Sequence, residues 1–388
     1  IVYPEFVCAL FAARALGRPV KWTAERAESF VSDAHARSQC TTAELALDAN
    51  GGFLAVRYRV TWCHGGYLTP RSVFVLLSAM PPMVCGPYRI KAQHFAFEGF
   101  FTTTTPIASY RGVGRSEAGY VLERLVDAAA RQTGIDASAL RRRNLIASHD
   151  MPFASAGGLT YERALFEHNF DAALEAVNAS GFELRRAQAA KNGRWRGLAA
   201  SPYIITSGGV PEEFANVEIE RDGSVVVHAG TQDFGMGHKT AFAQVAADLI
   251  GVDPARVHLV YGDTDKVAHG QGGHGSRCMR IGGNSIVKAC EAVVAQAGEL
   301  AAEALEVART DLAFNAGSFT VQGTDRAISI ADVTRQASDA GRALAASETY
   351  VVDGPGYPNG AHAVEVEVDP ETGMVLLVNV VTVIDPGR

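Results

Sequence analysis

Long apolar runs are missing from this 388-residue sequence, and no stretch reaches the roughly 18 residues that a membrane-spanning helix needs. The best candidate, residues 73–80, is followed at once by two prolines. An excess of basic residues is also missing, because the formal net charge is −7, which argues against a nucleic-acid-binding surface. The composition is otherwise that of an ordinary globular protein, and the length predicts two or three domains.

Cysteines spaced for a metal or a cluster are lacking as well. The six cysteines are scattered, form no C-x-x-C and have no histidines near them at zinc spacing. Their spacing matches no iron–sulfur pattern. Scattered thiols are typical of a reducing compartment, so the sequence predicts a cytoplasmic protein with no metal site made of its own side chains.

Glycine-rich turns are what the sequence does contain, and three of them precede helical segments. They begin YRGVG at Tyr110, GTQDFGMGH at Gly230 and GQGGHGSR at Gly270. A helix start leaves backbone N–H groups unpaired and carries partial positive charge, and glycines before it let an anion approach the backbone. Together the three turns predict a large ligand that bears phosphate groups.

The common nucleotide-binding motifs do not explain these turns. Residues 270–275 spell G-x-G-x-x-G, but no strand runs directly into them, and no turn matches G-x-x-x-x-G-K-[ST]. The sequence therefore predicts that the ligand is not bound as NAD or ATP usually is. An NAD-type oxidoreductase is disfavoured for the same reason.

Hydrophobic periodicity and turn residues predict an α+β fold with mixed sheets and helices. Helices are expected at residues 3–16, 116–132, 140–145, 238–249 and 284–307. A strand is expected at Val20–Thr23, and hairpins are expected to turn at residues 48–52, 222–223 and 369–373. A shift in composition over residues 147–158 predicts a domain boundary, placed between residues 155 and 156.

Several longer segments resemble a known family. YRGVGRSEA at 110–118, with ERLVD and RRNLI after it, is similar to one signature of the molybdenum hydroxylases, and GTQDFGMGHKT at 230–240 is similar to another. GSR at 275–277 and EVEVDPETG at 365–373 fit as well, in the same order. The chain thus resembles, along nearly its whole length, the large subunit of the xanthine dehydrogenase and carbon monoxide dehydrogenase type.

This resemblance implies the molybdenum-cofactor-binding domains of aldehyde oxidase and xanthine dehydrogenase. Residues 1–155 would be the C-terminal part of the first such domain, and 156–388 the N-terminal part of the second. The implied cofactor is molybdenum bound to molybdopterin cytosine dinucleotide, and the implied reaction hydroxylates an aldehyde or N-heterocycle C–H bond with oxygen from water. Electrons would leave through an iron–sulfur small subunit and an FAD-binding medium subunit, in a dimer of heterotrimers.

The family's general base is a glutamate, which is expected beyond residue 388. Its first cofactor loop is expected before residue 1. The chain is therefore expected to be an internal fragment that is inactive alone. A second hypothesis stays open, in which the chain is a non-catalytic paralogue or a cofactor-binding remnant that keeps the fold.

The resemblance also assigns site residues. The metal-facing loop falls on Arg111, Gly112 and Val113, and Gly112 stands where carbon monoxide dehydrogenases have a copper-binding cysteine. The cofactor-binding positions are Gly235, Met236, Gly237, His238, Thr240, Gly275, Ser276 and Arg277. Met236 replaces a family glutamine and offers only a weak sulfur acceptor. For Arg277 two interpretations stay open: bidentate pairing with a phosphate, or a salt bridge to a neighbouring carboxylate.

Overall fold

The chain folds into two units, seen in a computed structural model that describes residues 3–387. The first unit contains the residues up to Ile205 together with those from Tyr357 onwards, and the second unit is Thr206–Gly356. The domain boundary predicted between residues 155 and 156 falls within the continuous segment of the first unit, and the chain returns to this unit for its last two strands.

Helices begin and end largely where the sequence predicts them. Gly17, Gly134 and Gly251 adopt positive φ directly after three of them, which is a common way for a helix to end. Asp136 caps another, and its carboxylate accepts the N–H groups of Ser138 and Ala139 at 3.0 and 2.9 Å. None of the helices within residues 3–387 is long and apolar enough to cross a membrane. The helices are α1 Pro4–Leu16, α2 Arg26–Ser32, α3 Pro70–Phe74, α4 Arg115–Thr133, α5 Ala137–Asn144, α6 Phe166–Ala176, α7 Phe182–Lys191, α8 His238–Ile250, α9 Asn284–Leu305 and α10 Ile330–Asp339.

The strands confirm all three predicted hairpins and the α+β class. They are β1 Gln39–Leu47, β2 Phe53–Gly65, β3 Ala92–Phe101, β4 Phe153–Ala154, β5 Thr160–Tyr161, β6 Trp195–Ile204, β7 Glu212–Ile219, β8 Val225–Ala229, β9 Val257–Val260, β10 Leu312–Asn315, β11 Ser318–Val321, β12 Ala327–Ser329, β13 Leu344–Val351, β14 Asn359–Val368 and β15 Val375–Asp385. The pairs β1–β2, β7–β8 and β14–β15 are antiparallel. Because β2–β3 and β8–β9 are parallel, the two sheets that contain these pairs are mixed.

The first unit is built on two three-stranded sheets, in the orders β1-β2-β3 and β15-β14-β6. Helix α4 packs against β1, and α6 packs against the second sheet. Tyr58, Trp62 and Leu122 are among the buried side chains of the core of this unit. The first glycine-rich turn leads directly into α4. Because Leu122 of α4 belongs to this core, the core fixes the position at which the helix starts.

The second unit has a four-stranded sheet in the order β13-β7-β8-β9. Helix α9 packs on β7 and β13, and α8 packs on α9. Val217, Val227 and Phe242 belong to the core of this unit, which is separate from the core of the first. The second glycine-rich turn follows β8 and leads into α8, whereas the third leads towards α9. One sheet and one helix pair therefore hold both of these turns.

The strand predicted at Val20–Thr23 is wrong. These residues have no regular secondary structure and pair with no strand, although β-branched and aromatic side chains are common there. Val20 and Trp22 are exposed. The local sequence favours an extended backbone, but a strand also needs a hydrogen-bonding neighbour, and none of the described strands lies beside it. The short helix α2, which follows, was not predicted.

Candidate functional site

The first glycine-rich turn has three successive residues with positive φ. Gly112, Val113 and Gly114 have φ of 85°, 50° and 81°, and α4 begins at the next residue. Positive φ costs a glycine little, but it is a strained conformation for a β-branched valine. The turn at Val113 is therefore held by its surroundings rather than by local preference.

Arg37 supplies much of that support. Its guanidinium donates hydrogen bonds to the backbone carbonyls of Tyr110 and Arg111, and its Nε lies 3.7 Å from Oε1 of the buried Glu117. The same guanidinium lies 5.5 Å from the Tyr110 ring centroid. Two carbonyls of the turn thus point at Arg37, and the side chain of Arg111 is left exposed beside the turn.

A cavity of about 380 Å³ opens beside this turn, within the first unit. Gly112, Ser116 and Tyr120 line one side of it, and Tyr203 and His362 line another. The Tyr203 and His362 rings are stacked, with centroids 4.8 Å apart. Burial raises the pKa of the Tyr203 hydroxyl and lowers the pKa of the His362 imidazole, so both rings are uncharged near neutral pH. The cavity therefore has a mostly apolar wall with a few polar atoms.

The second turn is organised around Asp233. Its carboxylate accepts the N–H groups of Gly235 and Met236 at 2.8 Å each and that of Lys239 at 3.4 Å. Desolvation opposes the ionised form, but these backbone hydrogen bonds and the nearby His238 outweigh it and lower the pKa of the Asp233 carboxyl. The carboxylate does not accept from Gly237 or His238. Their N–H groups lie at the start of α8, where a helix offers no intrahelical partner.

The side chains of the second turn differ sharply in exposure. Met236 is 50% exposed, and Thr240 is exposed one turn of helix further on. His238 is buried and stacks on Phe242, with ring centroids 4.9 Å apart. Its Nδ1 has no hydrogen-bond partner among the described residues. A buried ring nitrogen without a partner is uncommon and marks a place where a ligand or water can bind.

The third turn has positive φ at Gly275 (64°) and Ser276 (58°), and both residues are exposed. A π-helical turn over Cys278–Gly283 follows and continues without a break into α9. Such turns inside helices are often found at functional sites. Gly275 and Ser276 are therefore exposed residues just before a long helical segment, as predicted from the sequence.

Arg277 has its side chain in the interior of the second unit. Its side chain is fully buried, and its Nη1 forms a salt bridge with Glu213 of β7. Its Nε donates to the Val210 carbonyl at 3.2 Å, and Nη1 also donates to the Gly272 carbonyl at 3.1 Å. Of the two interpretations open from the sequence, the geometry favours the salt bridge over direct pairing with a phosphate.

The second and third turns touch each other within the second unit. The N–H of Gly272 donates to the carbonyl of Gly230 at 3.2 Å. A Cβ on Gly230 would lie 2.8 Å from the Cα of Gly270, so only glycine permits this approach. The two helix starts, at α8 and towards α9, are therefore fixed relative to one another. The first turn lies in the other unit.

Three residues that organise these turns were not found from the sequence. Arg37 lies 74 positions before the Arg111 carbonyl to which it donates, and Glu213 lies 64 positions before Arg277. No local pattern joins residues so far apart. Asp233 is different, because an aspartate that accepts the N–H groups two and three residues later is a recurrent turn motif, and the D-x-G spacing could have revealed it.

The second unit has features that fit an anionic cofactor rather than a metal ion bound by side chains. No group of three or more His, Cys, Asp or Glu side chains within residues 3–387 could hold a metal ion. The second unit instead offers exposed backbone at two helix starts and a buried imidazole nitrogen without a partner. A Cβ built on Gly235 or on Gly237 would meet nothing within 4 Å, so the second turn is open to solvent. These features fit a large phosphate-bearing group held mainly by backbone N–H donors.

Comparison with known proteins agrees with this geometry. Family models described as molybdopterin cofactor-binding domains match residues 1–145 and 172–388. The chain belongs to the molybdopterin-binding large-subunit family of the molybdenum hydroxylases. The predicted fold class is thereby confirmed.

Members of this molybdopterin-binding family from two bacteria illustrate the similarity. The chain is 34% identical to the 6-hydroxypseudooxynicotine dehydrogenase complex subunit gamma of Paenarthrobacter nicotinovorans and 31% identical to the nicotine 6-hydroxylase large subunit of the same organism, over 100% of this chain and 50% of each relative. The quinoline 2-oxidoreductase of Pseudomonas putida 86 has a similar structure, with a TM-score of 0.91, 31% identity and coverage of 99% of this chain and 52% of that one. The chain spans about half the length of the curated relatives it matches.

Proposed function

We propose that this chain is the cofactor-binding core of a molybdenum hydroxylase large subunit. The observation that carries the proposal is the pair of glycine-rich turns in the second unit, which meet at Gly230 and Gly270 and leave exposed backbone at two helix starts. A helix start attracts phosphate through its free N–H groups and its partial positive charge. The proposed cofactor is molybdenum with molybdopterin cytosine dinucleotide.

Each site residue has a proposed task. Backbone of Gly237, Gly275 and Ser276 would hold anionic groups of the cofactor, and the unpartnered Nδ1 of His238 would take a further polar group. Gly235, whose N–H donates to Asp233, would instead leave open space in which the cofactor can approach the turn. Met236 and Thr240 would lie beside the bound cofactor. Arg111, Gly112 and Val113 would form the metal-facing loop of the first unit.

When bound, the cofactor supplies the redox chemistry that removes two electrons from a substrate C–H bond, with the new oxygen coming from water. The chain's own residues would bind the cofactor and orient it. The proposed electron route runs to an iron–sulfur small subunit and an FAD-binding medium subunit, in a dimer of heterotrimers. We also propose a cytoplasmic location, because scattered thiols are typical of a reducing compartment.

The proposed substrate class is an N-heterocycle or an aldehyde, and the names of the relatives favour the former. The cavity beside the first turn, with its stacked Tyr203 and His362, suits a planar ring. The test is substrate-dependent dye reduction by the complete large subunit with its partner subunits, using pyridine, quinoline and aldehyde substrates. Turnover of none of these by a fully loaded complex would favour the second candidate, a non-catalytic paralogue.

Carbon monoxide should not be a substrate. Gly112 has φ of 85°, and a Cβ there would lie 3.0 Å from the Cβ of Ser116 and nearer still to its Oγ. A side chain at this position would crowd the Ser116 side chain of α4, and glycine offers no soft ligand for copper. The loaded complex should reduce no dye when supplied with carbon monoxide. Rapid oxidation of carbon monoxide at one molybdenum per large subunit would contradict this assignment of Gly112.

Met236→Gln should raise cofactor retention. Met236 is half exposed on the second turn, and an amide there can form a hydrogen bond that a thioether cannot. A net hydrogen bond contributes roughly 0.5–1.5 kcal/mol, so the affinity should rise about two- to tenfold. Pterin content after limited dialysis measures the effect. The control is Met374→Gln, which changes an exposed methionine of the β14–β15 turn, and equal retention in both variants would show that Met236 is only a packing choice.

A further inference from the structure

Glu213 is a buried carboxylate with both of its oxygens occupied. It lies at the start of β7 and is 1% exposed. Its Oε1 accepts the N–H groups of Phe214 and Gln271, each at 3.1 Å. Its Oε2 accepts the hydroxyl of Thr231 at 3.2 Å and the guanidinium of Arg277. Two of these donors, Thr231 and Gln271, belong to the second and third glycine-rich turns.

Arg277 completes the connection from the other side. It is 0% exposed and donates to the carbonyls of Val210, Glu212 and Gly272 as well as to Glu213. The ion pair therefore joins three segments: the entry to β7, the second turn and the third turn. All three lie within the second unit.

Net stability is a poor explanation for this arrangement. Removing two charges from water is costly, and apolar or neutral replacements of buried ion pairs are often as stable as the pair. A fully satisfied buried network does, however, fix the relative position of the groups it joins. Holding donors in place before a ligand arrives lowers the entropic cost of binding.

We propose that Glu213 and Arg277 are positioning residues, which lock the second and third turns into the arrangement that receives the phosphate-bearing part of the cofactor. This inference rests on the proposed function. It gives Arg277 a task that does not require contact with a phosphate. It also adds Glu213 and Thr231 to the residues on which cofactor binding depends.

The test uses the complete large subunit with its partner subunits. Glu213→Gln keeps the shape of the side chain but leaves Arg277 without a counter-charge. The double variant Glu213→Gln/Arg277→Met removes both charges, so that no buried charge is left unpaired and the protein can still fold. The control is Glu365→Gln, which weakens the salt bridge between the buried Glu365 and the partly exposed Arg185 in the first unit. Melting temperature, hydrogen exchange of residues 230–237 and 270–277, and pterin per folded protein are measured for each.

Both Glu213 variants should lose at least tenfold in pterin retention, with faster exchange in both turns. The double variant should do so with a smaller drop in melting temperature than Glu213→Gln, because it leaves no buried charge unpaired. Glu365→Gln should lose stability but keep its pterin and its slow exchange in the turns. Wild-type retention and exchange in the double variant would overturn the inference, and so would equal pterin loss in the control. A wild type without pterin would instead refute the proposed function, while the exchange data would still test the lock.

Discussion

Gly230→Ala should destabilise the second unit by about 3 kcal/mol and abolish cofactor retention. The new Cβ would lie 2.8 Å from the Cα of Gly270 and 2.9 Å from the carbonyl oxygen of His269. Both are backbone atoms, which cannot turn aside as a flexible side chain can. The carboxylate of Glu213 lies closer still, so the substitution strains the contact between the turns and the buried ion pair together.

Urea unfolding and pterin analysis measure these two effects. Gly208→Ala is the matched control, because it changes a glycine of the same unit whose Cβ would meet only Pro355, at 3.9 Å, and whose φ is not in the left-handed region. Its stability should remain within about 0.5 kcal/mol of the wild type. If Gly230→Ala is as stable as this control and binds as much pterin, the close contact between the two turns is not needed.

Arg141→Met should cost the first unit about 3–5 kcal/mol, because it leaves a buried carboxylate without its counter-charge. Arg141 Nε lies 2.7 Å from Glu123 Oε2, and Nη2 lies 2.8 Å from Asp127 Oδ1. The hydroxyl of Tyr88 donates to the other Glu123 oxygen at 2.7 Å. These groups join α4 to α5, so the pair supports the helix that follows the first glycine-rich turn.

The loss should depend on pH in a defined direction. Desolvation raises the pKa of the Glu123 carboxyl, and Arg141 is the main group that opposes the rise. Without Arg141 the folded-state pKa rises further above the unfolded value. A raised carboxyl pKa contributes stability at low pH that is lost as the pH rises through the folded pKa. The deficit of Arg141→Met should therefore narrow as the pH falls towards the usual glutamate value of about 4.3.

Arg142→Met is the control for this prediction, since Arg142 is the next residue on α5. Its side chain is 46% exposed, and its salt-bridge partner Asp171 is 53% exposed. An exposed pair contributes about 0–1 kcal/mol. Guanidinium unfolding at several pH values distinguishes the two variants. Equal losses of unfolding free energy in the two variants, or a loss for Arg141→Met that does not change with pH, would mean that Glu123 is not a buried carboxylate that depends on Arg141 for its charge.

The features that could be predicted from the sequence are the helix ends, helix starts and tight turns, because these depend on residues close together in the chain. Gly17, Gly134 and Gly251 end helices because their backbone adopts positive φ, and Asp136 caps α5 with its own carboxylate. The hairpin turn at residues 48–52 was also visible, because aspartate and glycine are the residues that such a turn needs. The three helix starts after glycines were predicted on the same local grounds.

Long-range pairing explains what the sequence did not reveal. Strand β14 pairs with β6, more than 150 residues earlier, as between Ala363 and Ala200, and this pairing returns the chain to the first unit. No local change in composition announces such a return. The extended segment Val20–Thr23 lacked a partner strand for the same kind of reason. The positions of Arg37 and Glu213 likewise depend on contacts made only after folding.

Cofactor content decides whether the two glycine-rich turns of the second unit hold the proposed cofactor. The complete large subunit, produced with its partner subunits in a host that makes molybdopterin cytosine dinucleotide, should carry close to one molybdenum, one pterin and one cytidine nucleotide per large subunit. Gly230→Ala should carry almost none of the three, whereas Gly208→Ala should match the wild type. A folded wild-type complex with no pterin, from a host in which a related hydroxylase is fully loaded, would contradict the account.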